Sequence, residues 1–198
     1  MRRIFIGTLV VLTIALINGC ANRKITRVDP SETIDLSGRW NDSDSRLVSE
    51  EMIGDLLTSA WIPKYLKAND KRPVVVVGLV ENKSHEHINS ETFIKDVEKA
   101  IIRDGNIRLV VAGEKRNELR KERAEQQDYA SPETTKKWGK ELGADFILQG
   151  TINSIVDSYK KQKVVTYQID LQLTNIETNE VVWMGDKKIK KQISDKVF

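Results

Sequence analysis

Cysteine occurs once in the 198 residues, histidine twice and proline four times. A single cysteine rules out an internal disulfide framework and any Cys-rich zinc site. Two histidines leave little from which to build a catalytic or metal centre. Four prolines exclude a Pro-rich stalk. A dominant charge is missing too: 32 basic side chains face 29 acidic ones, a formal net of +3. No G-x-x-x-x-G-K-[ST], G-x-G-x-x-G, G-x-S-x-G or H-E-x-x-H occurs, so the usual phosphate cradles, nucleophile elbow and zinc-protease helix are absent. The expectation is a protein that is not an enzyme and takes no cofactor. Apolar residues make up 39%, with four Trp and four Phe, enough for one core at a length where one domain is the default.

The first segment stands apart. Arg2 and Arg3 precede an apolar run over residues 4–17, closed by Asn18-Gly19-Cys20. About 14 residues at a 1.5 Å rise reach about 21 Å, short of the roughly 30 Å hydrocarbon core of a bilayer. A basic start, a short apolar stretch and a small residue at its end make a secretory signal rather than a membrane span. Ile17-Asn18-Gly19-Cys20 resembles a bacterial lipobox, with Gly19 admitting a signal peptidase and the Cys20 thiol receiving the lipid. Residues 1–19 are therefore expected as a lipoprotein signal peptide. The competing readings of Cys20 are an incidental cysteine in a membrane-anchor helix, or a catalytic thiol that lacks a partner base nearby in sequence. Cleavage before Cys20 would remove two basic residues and no acidic ones, leaving 30 against 29. A net of +1 gives nucleic acid no long-range attraction. Each acyl CH2 buried in lipid contributes about 0.8 kcal/mol, so several chains anchor firmly. Ala21 is not the aspartate that holds enteric lipoproteins at the inner membrane, and by that resemblance the anchor belongs to the outer membrane with the domain in the periplasm.

Residues 20–42 are polar and aperiodic, and read as a lipidated N-terminus and flexible tether. Such a stretch spans at most about 75 Å extended and about 25 Å as a coil. The domain is expected over 43–198. Helix-start signals at Asn41-Asp42-Ser43-Asp44 introduce Leu47, Val48, Met52, Ile53, Leu56, Leu57 and Trp61 at helical spacing, and Pro63 interrupts it. Residues 74–80 form a β-branched run suited to a strand buried on both faces. A loop over 81–89 leads to a helix capped by Asn89 or Ser90, with Phe93, Ile94, Val97 and Ile101 inward and Gly105 at its end. Residues 107–112 are a second strand. Residues 114–127 alternate in charge, as in a solvated helix held by i,i+4 pairs. Ser131-Pro132-Glu133 opens another helix carrying Trp138 and Leu142. Three strand-like stretches follow, around 146–152, 165–174 and 181–184, the middle one alternating strictly. Strands first separated by helices and then linked as a meander give an α/β (mixed α+β) fold, a mixed sheet of about five strands with helices packed on it.

Three clusters bear chemistry. His85-Glu86-His87 follows the first strand, where α/β sheets place ligand sites. If extended, it points both imidazoles one way and Glu86 the other, a metal pair that would need carboxylates to complete it; the other reading is a polar recognition or structural loop. The basic residues of 116–123 alternate with Glu114, Glu118, Glu122 and Glu125, which cancel a nucleic-acid field. Lys187, Lys188, Lys190 and Lys191 either guard a sheet edge or meet an acidic partner or anionic cell-wall polymer. Trp183 and Trp138 fit core positions.

Several segments resemble one family together: Val76-Val77-Gly78-Leu79-Val80-Glu81-Asn82-Lys83-Ser84, then Glu86-His87-Ile88-Asn89-Ser90, Leu119-Arg120-Lys121-Glu122-Arg123, Ser131-Pro132-Glu133-Thr134, Leu142-Gly143-Ala144-Asp145-Phe146-Ile147-Leu148-Gln149-Gly150 and Val181-Val182-Trp183. In order, they are similar to the LpoB family, lipoprotein activators of bifunctional class A penicillin-binding proteins. The resemblance implies a domain like the amino-terminal domain of TolB, no catalysis of its own, and docking on a class A penicillin-binding protein that stimulates glycan polymerisation and cross-linking. Enteric members carry a long Pro-rich tether, whereas this one is short and holds only Pro30. The alternative function is an envelope lipoprotein adaptor for another periplasmic complex. Partner-binding candidates are Asn82, Lys83, Ser84 and His85, because loops on a rigid sheet tend to carry function. A monomer, with no nucleic-acid partner and no resident metal, is expected.

Overall fold

The structure is a computed structural model that describes residues 25–135 and 141–194. The expected signal peptide, Cys20 and Trp138 lie outside the described residues. Helices α1 (Asp42–Thr58) and α2 (Trp61–Asn69) precede strand β1 (Val74–Asn82), then α3 (Ser90–Asp104), β2 (Arg108–Val110), α4 (Gly113–Tyr129), β3 (Phe146–Tyr159), β4 (Gln162–Asn175) and β5 (Val181–Ser194). They build one five-stranded sheet ordered β2-β1-β3-β4-β5. β1 runs parallel to both β2 and β3, while β3, β4 and β5 form an antiparallel meander. The expected mixed α/β sheet is therefore present. Parallel neighbours need long crossovers, which contain α3 and α4, whereas β3 turns into β4 through Lys160 and Lys161. Lys160 takes the left-handed conformation (φ 53°) that such a tight hairpin demands.

One face of the sheet carries the core. The alternation of β4 sends Val165, Tyr167, Ile169, Leu171 and Leu173 to that face, all buried. Val75, Val77, Leu148 and Ile152 join them from β1 and β3. Onto this layer α1 presents Val48, Met52, Ile53 and Leu56, and α3 presents Phe93, Val97 and Ile101. Each such side chain contributes about 1.5–3 kcal/mol by leaving water. Trp183 is core as expected, and its indole donates to Asp55 Oδ2 on α1 at 2.8 Å. Gly150 marks where β3 and β4 approach closely: a Cβ there would run into the Asp170 carbonyl oxygen. Asp145, just before β3, ties the sheet's start: its carboxylate accepts from Val74 N and its own N–H donates to the Val74 carbonyl, both at 2.8 Å.

Some local expectations hold and others change. Asn41 caps α1 in a capping box with Asp44, and Asn89 caps α3. Pro63, expected to interrupt the first helix, lies inside the first turn of α2; a proline is tolerated there because that N–H has no intrahelical partner. The break falls at Ser59 and Ala60 instead. Leu47 points away from the Val48–Met52 face and is 45% exposed. The helix expected from Ser131 is replaced, over its described ends, by a turn at 131–135 and irregular chain at 141–144. The Ser131 carbonyl accepts from both Thr134 and Thr135 N–H groups, and serine and threonine side chains there compete for the backbone. α4 has no buried residue, as its charge pattern implies.

The stretch 33–41, expected as tether, packs on the domain. Trp40 stands edge-on to buried Tyr167 with centroids 5.4 Å apart, and its indole donates to Ser45 Oγ at 2.8 Å. Lys191 of β5, 8% exposed at its side chain, bonds Asp35, Asp44 and the Arg39 carbonyl at 3.0, 2.6 and 2.9 Å. A lysine ammonium pointing inward needs that many partners to be buried at all.

Candidate partner-docking surface

The loop after β1 is organised from within. Asn82 donates to the Glu86 carbonyl at 2.7 Å and accepts from Ser84 N and Ser84 Oγ at 3.0 and 2.7 Å. Ser84 Oγ in turn accepts from Glu86 N at 3.2 Å. Short polar side chains that satisfy the backbone two residues on bend a chain, so the stretch is not extended. The alternation that would separate His85 and His87 from Glu86 is lost. Glu86 instead reaches His85 Nε2 at 3.3 Å and accepts from Trp40 N at 3.1 Å. No group of three or more His, Cys, Asp and Glu side chains is placed to hold a metal ion among the described residues.

His85 clamps the loop to the β3–β4 hairpin. Its Nδ1 lies 2.6 Å from Ser154 Oγ, and its backbone N–H donates to the same oxygen at 3.0 Å. The imidazole stacks on Tyr167 at 6.2 Å. Burial, with the Glu86 carboxylate second, pushes the Tyr167 phenol well above its ordinary value, and its hydroxyl makes no hydrogen bond of acceptable geometry. Ser154, His85 and Glu86 thus stand in a Ser-His-Glu line. Ser154 Oγ already accepts an amide N–H, and in this geometry the three side chains act as a clamp. Of the four loop candidates, Asn82 and Ser84 direct their polar atoms into the loop. Lys83, 53% exposed at its side chain and 3.1 Å from Glu81, faces solvent, while the His85 ring is one-third exposed with its nitrogens turned to Ser154 and Glu86.

The four lysines of β5 divide by alternation. Lys187 and Lys191 point to the core face, where Lys187 meets Glu51 of α1. Lys188 and Lys190, opposite Gln168 and Thr166, share the outer face. Inward charges on an edge strand are a standard guard against edge-to-edge pairing. The basic residues of α4 are likewise engaged: Arg120 and Arg123 hold Glu141 at 2.9 and 2.7 Å and pull its carboxyl down to about 2.

Sequence reasoning did not find Trp40, Ser154 or Tyr167 as partners of the loop. A tryptophan inside a polar stretch was the one available signal. It also missed a shallow groove of about 310 Å³ on the outer face, lined by Leu79, Glu81, Gln149, Asp170, Gln172 and Met184. Among the described residues no helix is long and apolar enough to cross a membrane.

The sequence matches the family model described as peptidoglycan-synthase activator LpoB over residues 44–189. No curated protein matches the chain. Among solved structures, the chain is similar to the LpoB C-terminal domain from Escherichia coli at 19% identity, covering 77% of this chain and 99% of that one with a TM-score of 0.42. It is similar to E. coli LpoB, solved by NMR, at 16% identity, covering 87% and 82% with a TM-score of 0.41. A lipoprotein from Neisseria meningitidis matches at 13% identity, 61% and 83% coverage and a TM-score of 0.38.

Proposed function

The chain belongs to the LpoB family of peptidoglycan-synthase activators, and on that premise we propose that it is a non-catalytic periplasmic lipoprotein that binds and activates a bifunctional class A penicillin-binding protein. The observation that carries this reading is the family match, which takes in every element from α1 to the middle of β5. An activator of this kind works by binding one conformation of the synthase better than another; equal affinity for both would shift nothing. In this reading Cys20 carries the lipid, the anchor sits in the outer membrane, and Lys83 and His85 belong to the surface offered to the synthase.

The packed stretch 33–41 shortens the tether of such a lipoprotein. Only residues 21–32 remain between Cys20 and the domain, a reach of at most about 40 Å. That short reach favours a second reading, an envelope lipoprotein adaptor whose partner lies near the anchoring leaflet. The test is glycan-chain polymerisation by the same organism's class A synthase, with and without the purified full chain. Several-fold stimulation supports activation. No stimulation and no binding would point to the adaptor.

A further inference from the structure

β1 is shorter than the strand beside it. Its last registered pair is Asn82 with Ile152, while β3 continues to Tyr159. Among the described residues no strand pairs with 153–159 on that side, although β4 pairs with them all on the other. The direction of the free groups follows from strand geometry. Lys83 N donates to the Ile152 carbonyl, and backbone groups alternate sides along a strand. Ser154, Val156 and Ser158 therefore turn their N–H and C=O groups toward the free edge.

This edge differs from that of β5. The β5 edge carries Lys187, Lys188, Lys190 and Lys191, two of them aimed inward. Residues 154–159 hold Asp157 as their one charge, and Ile155, Val156 and Tyr159 are 71%, 41% and 70% exposed. A long edge with three exposed apolar side chains, one charge, no proline and no lysine is a template for another strand. Its surroundings are mainly basic: Lys160, Lys161 and Lys163 at the hairpin end, with Lys83, itself paired with Glu81, on the adjoining loop. A second copy pairing antiparallel about Val156 would set Lys160 beside Ile152, hence beside Lys83, placing like charges together. An acidic strand would face the same lysines with opposite charge.

We propose that the free edge of β3 at Ser154, Val156 and Ser158 is a docking site for an extended, acidic segment of a protein partner, which adds a strand to the sheet. Main-chain hydrogen bonds supply the affinity and the flanking lysines select the sequence. From the proposed function it takes only that the partner is a protein; if that reading holds, the segment belongs to the synthase.

The test uses the full chain and a Val156→Pro variant. Val156 N–H faces the free edge, so proline removes one docking donor and no bond to β4. Amide hydrogen exchange is followed with a synthetic peptide of alternating glutamate and valine, and with its lysine–valine counterpart. The acidic peptide is expected to slow exchange at Ser154, Val156 and Ser158 by about ten-fold, the basic one to leave it unchanged, and Val156→Pro to abolish the effect at Ser154 and Ser158. Absence of protection by the acidic peptide, or equal protection by both, overturns the proposal. If the synthase binds, Lys160→Glu with Lys161→Glu should weaken it about ten-fold, near 1.4 kcal/mol; unchanged binding by these and by Val156→Pro would show that the synthase does not use the edge. A synthase that fails to bind at all counts against the function above, while the peptide alone decides the edge.

Discussion

His85 Nδ1 and Ser154 Oγ, 69 residues apart in the chain, lie 2.6 Å from each other and join the loop after β1 to the hairpin beyond the end of β1. The same Ser154 oxygen accepts the His85 backbone N–H. One serine thus ties to the sheet a loop that Asn82 and Ser84 already bend from within.

Ser154→Ala removes the acceptor of that N–H and the partner of the ring. The loss expected is about 1 kcal/mol of stability, typical of one net hydrogen bond or slightly more. Amide exchange at His85 should accelerate, while amides in the core of β4 slow or quicken only with global stability. Unchanged exchange at His85 would show that the loop is held by Asn82 and Ser84 alone.

Lys191→Met removes a cation that Asp35, Asp44 and the Arg39 carbonyl surround. Asp44 is then left buried without its ion-pair partner, a loss of about 3–5 kcal/mol. The stretch 33–41 should release first, seen as a change in Trp40 fluorescence at a lower denaturant concentration than global unfolding. A wild-type midpoint would sink this account of the stretch.

Tyr167→Phe tests the unpaired phenol. Its hydroxyl is fully buried and makes no hydrogen bond, so deleting it leaves stability within about 1 kcal/mol, whereas Tyr167→Ala opens a cavity costing about 3–5 kcal/mol. A large loss in the phenylalanine variant would reveal a bond from Tyr167 to Glu86.

Glu141 provides a pH signature. Arg120 and Arg123 hold its carboxyl at about 2 in the folded chain, below its ordinary 4.5. A depressed folded value means that the contribution is complete above the ordinary value and is lost as pH falls through about 2. A carboxyl-carbon NMR titration should give a midpoint near 2, and Arg120→Gln should move it upward. Titration near the ordinary value in the parent protein would mean that the arginines do not engage it.

Much of this was legible because it is periodic. The alternation of Val165 through Leu173 identifies β4 and its inner face, since a strand's side-chain period is two. The charge pattern of α4 announced a helix with nothing to bury. Pro63 misled because proline breaks a helix interior but fits a first turn, and which of the two applies depends on where the preceding helix stops. The extended reading of His85-Glu86-His87 failed because two short polar residues upstream, Asn82 and Ser84, bend the chain with local hydrogen bonds. The lysines of β5 read as edge guards from composition, but that Lys191 is a buried ion-pair partner depends on Asp35 and Asp44, about 150 residues away.

The sequence by itself determined the class of fold, the inward faces of β4 and α3 and the family, because apolar spacing and local motifs are properties of short windows of chain. Only the tertiary structure decided that Trp40 and Asp35 belong to the domain, that Ser154 clamps His85, and that β3 outruns β1, so that among the described residues no strand pairs with 153–159 on that side. Those depend on relative strand length and on pairs tens to more than a hundred residues apart, which no local pattern encodes.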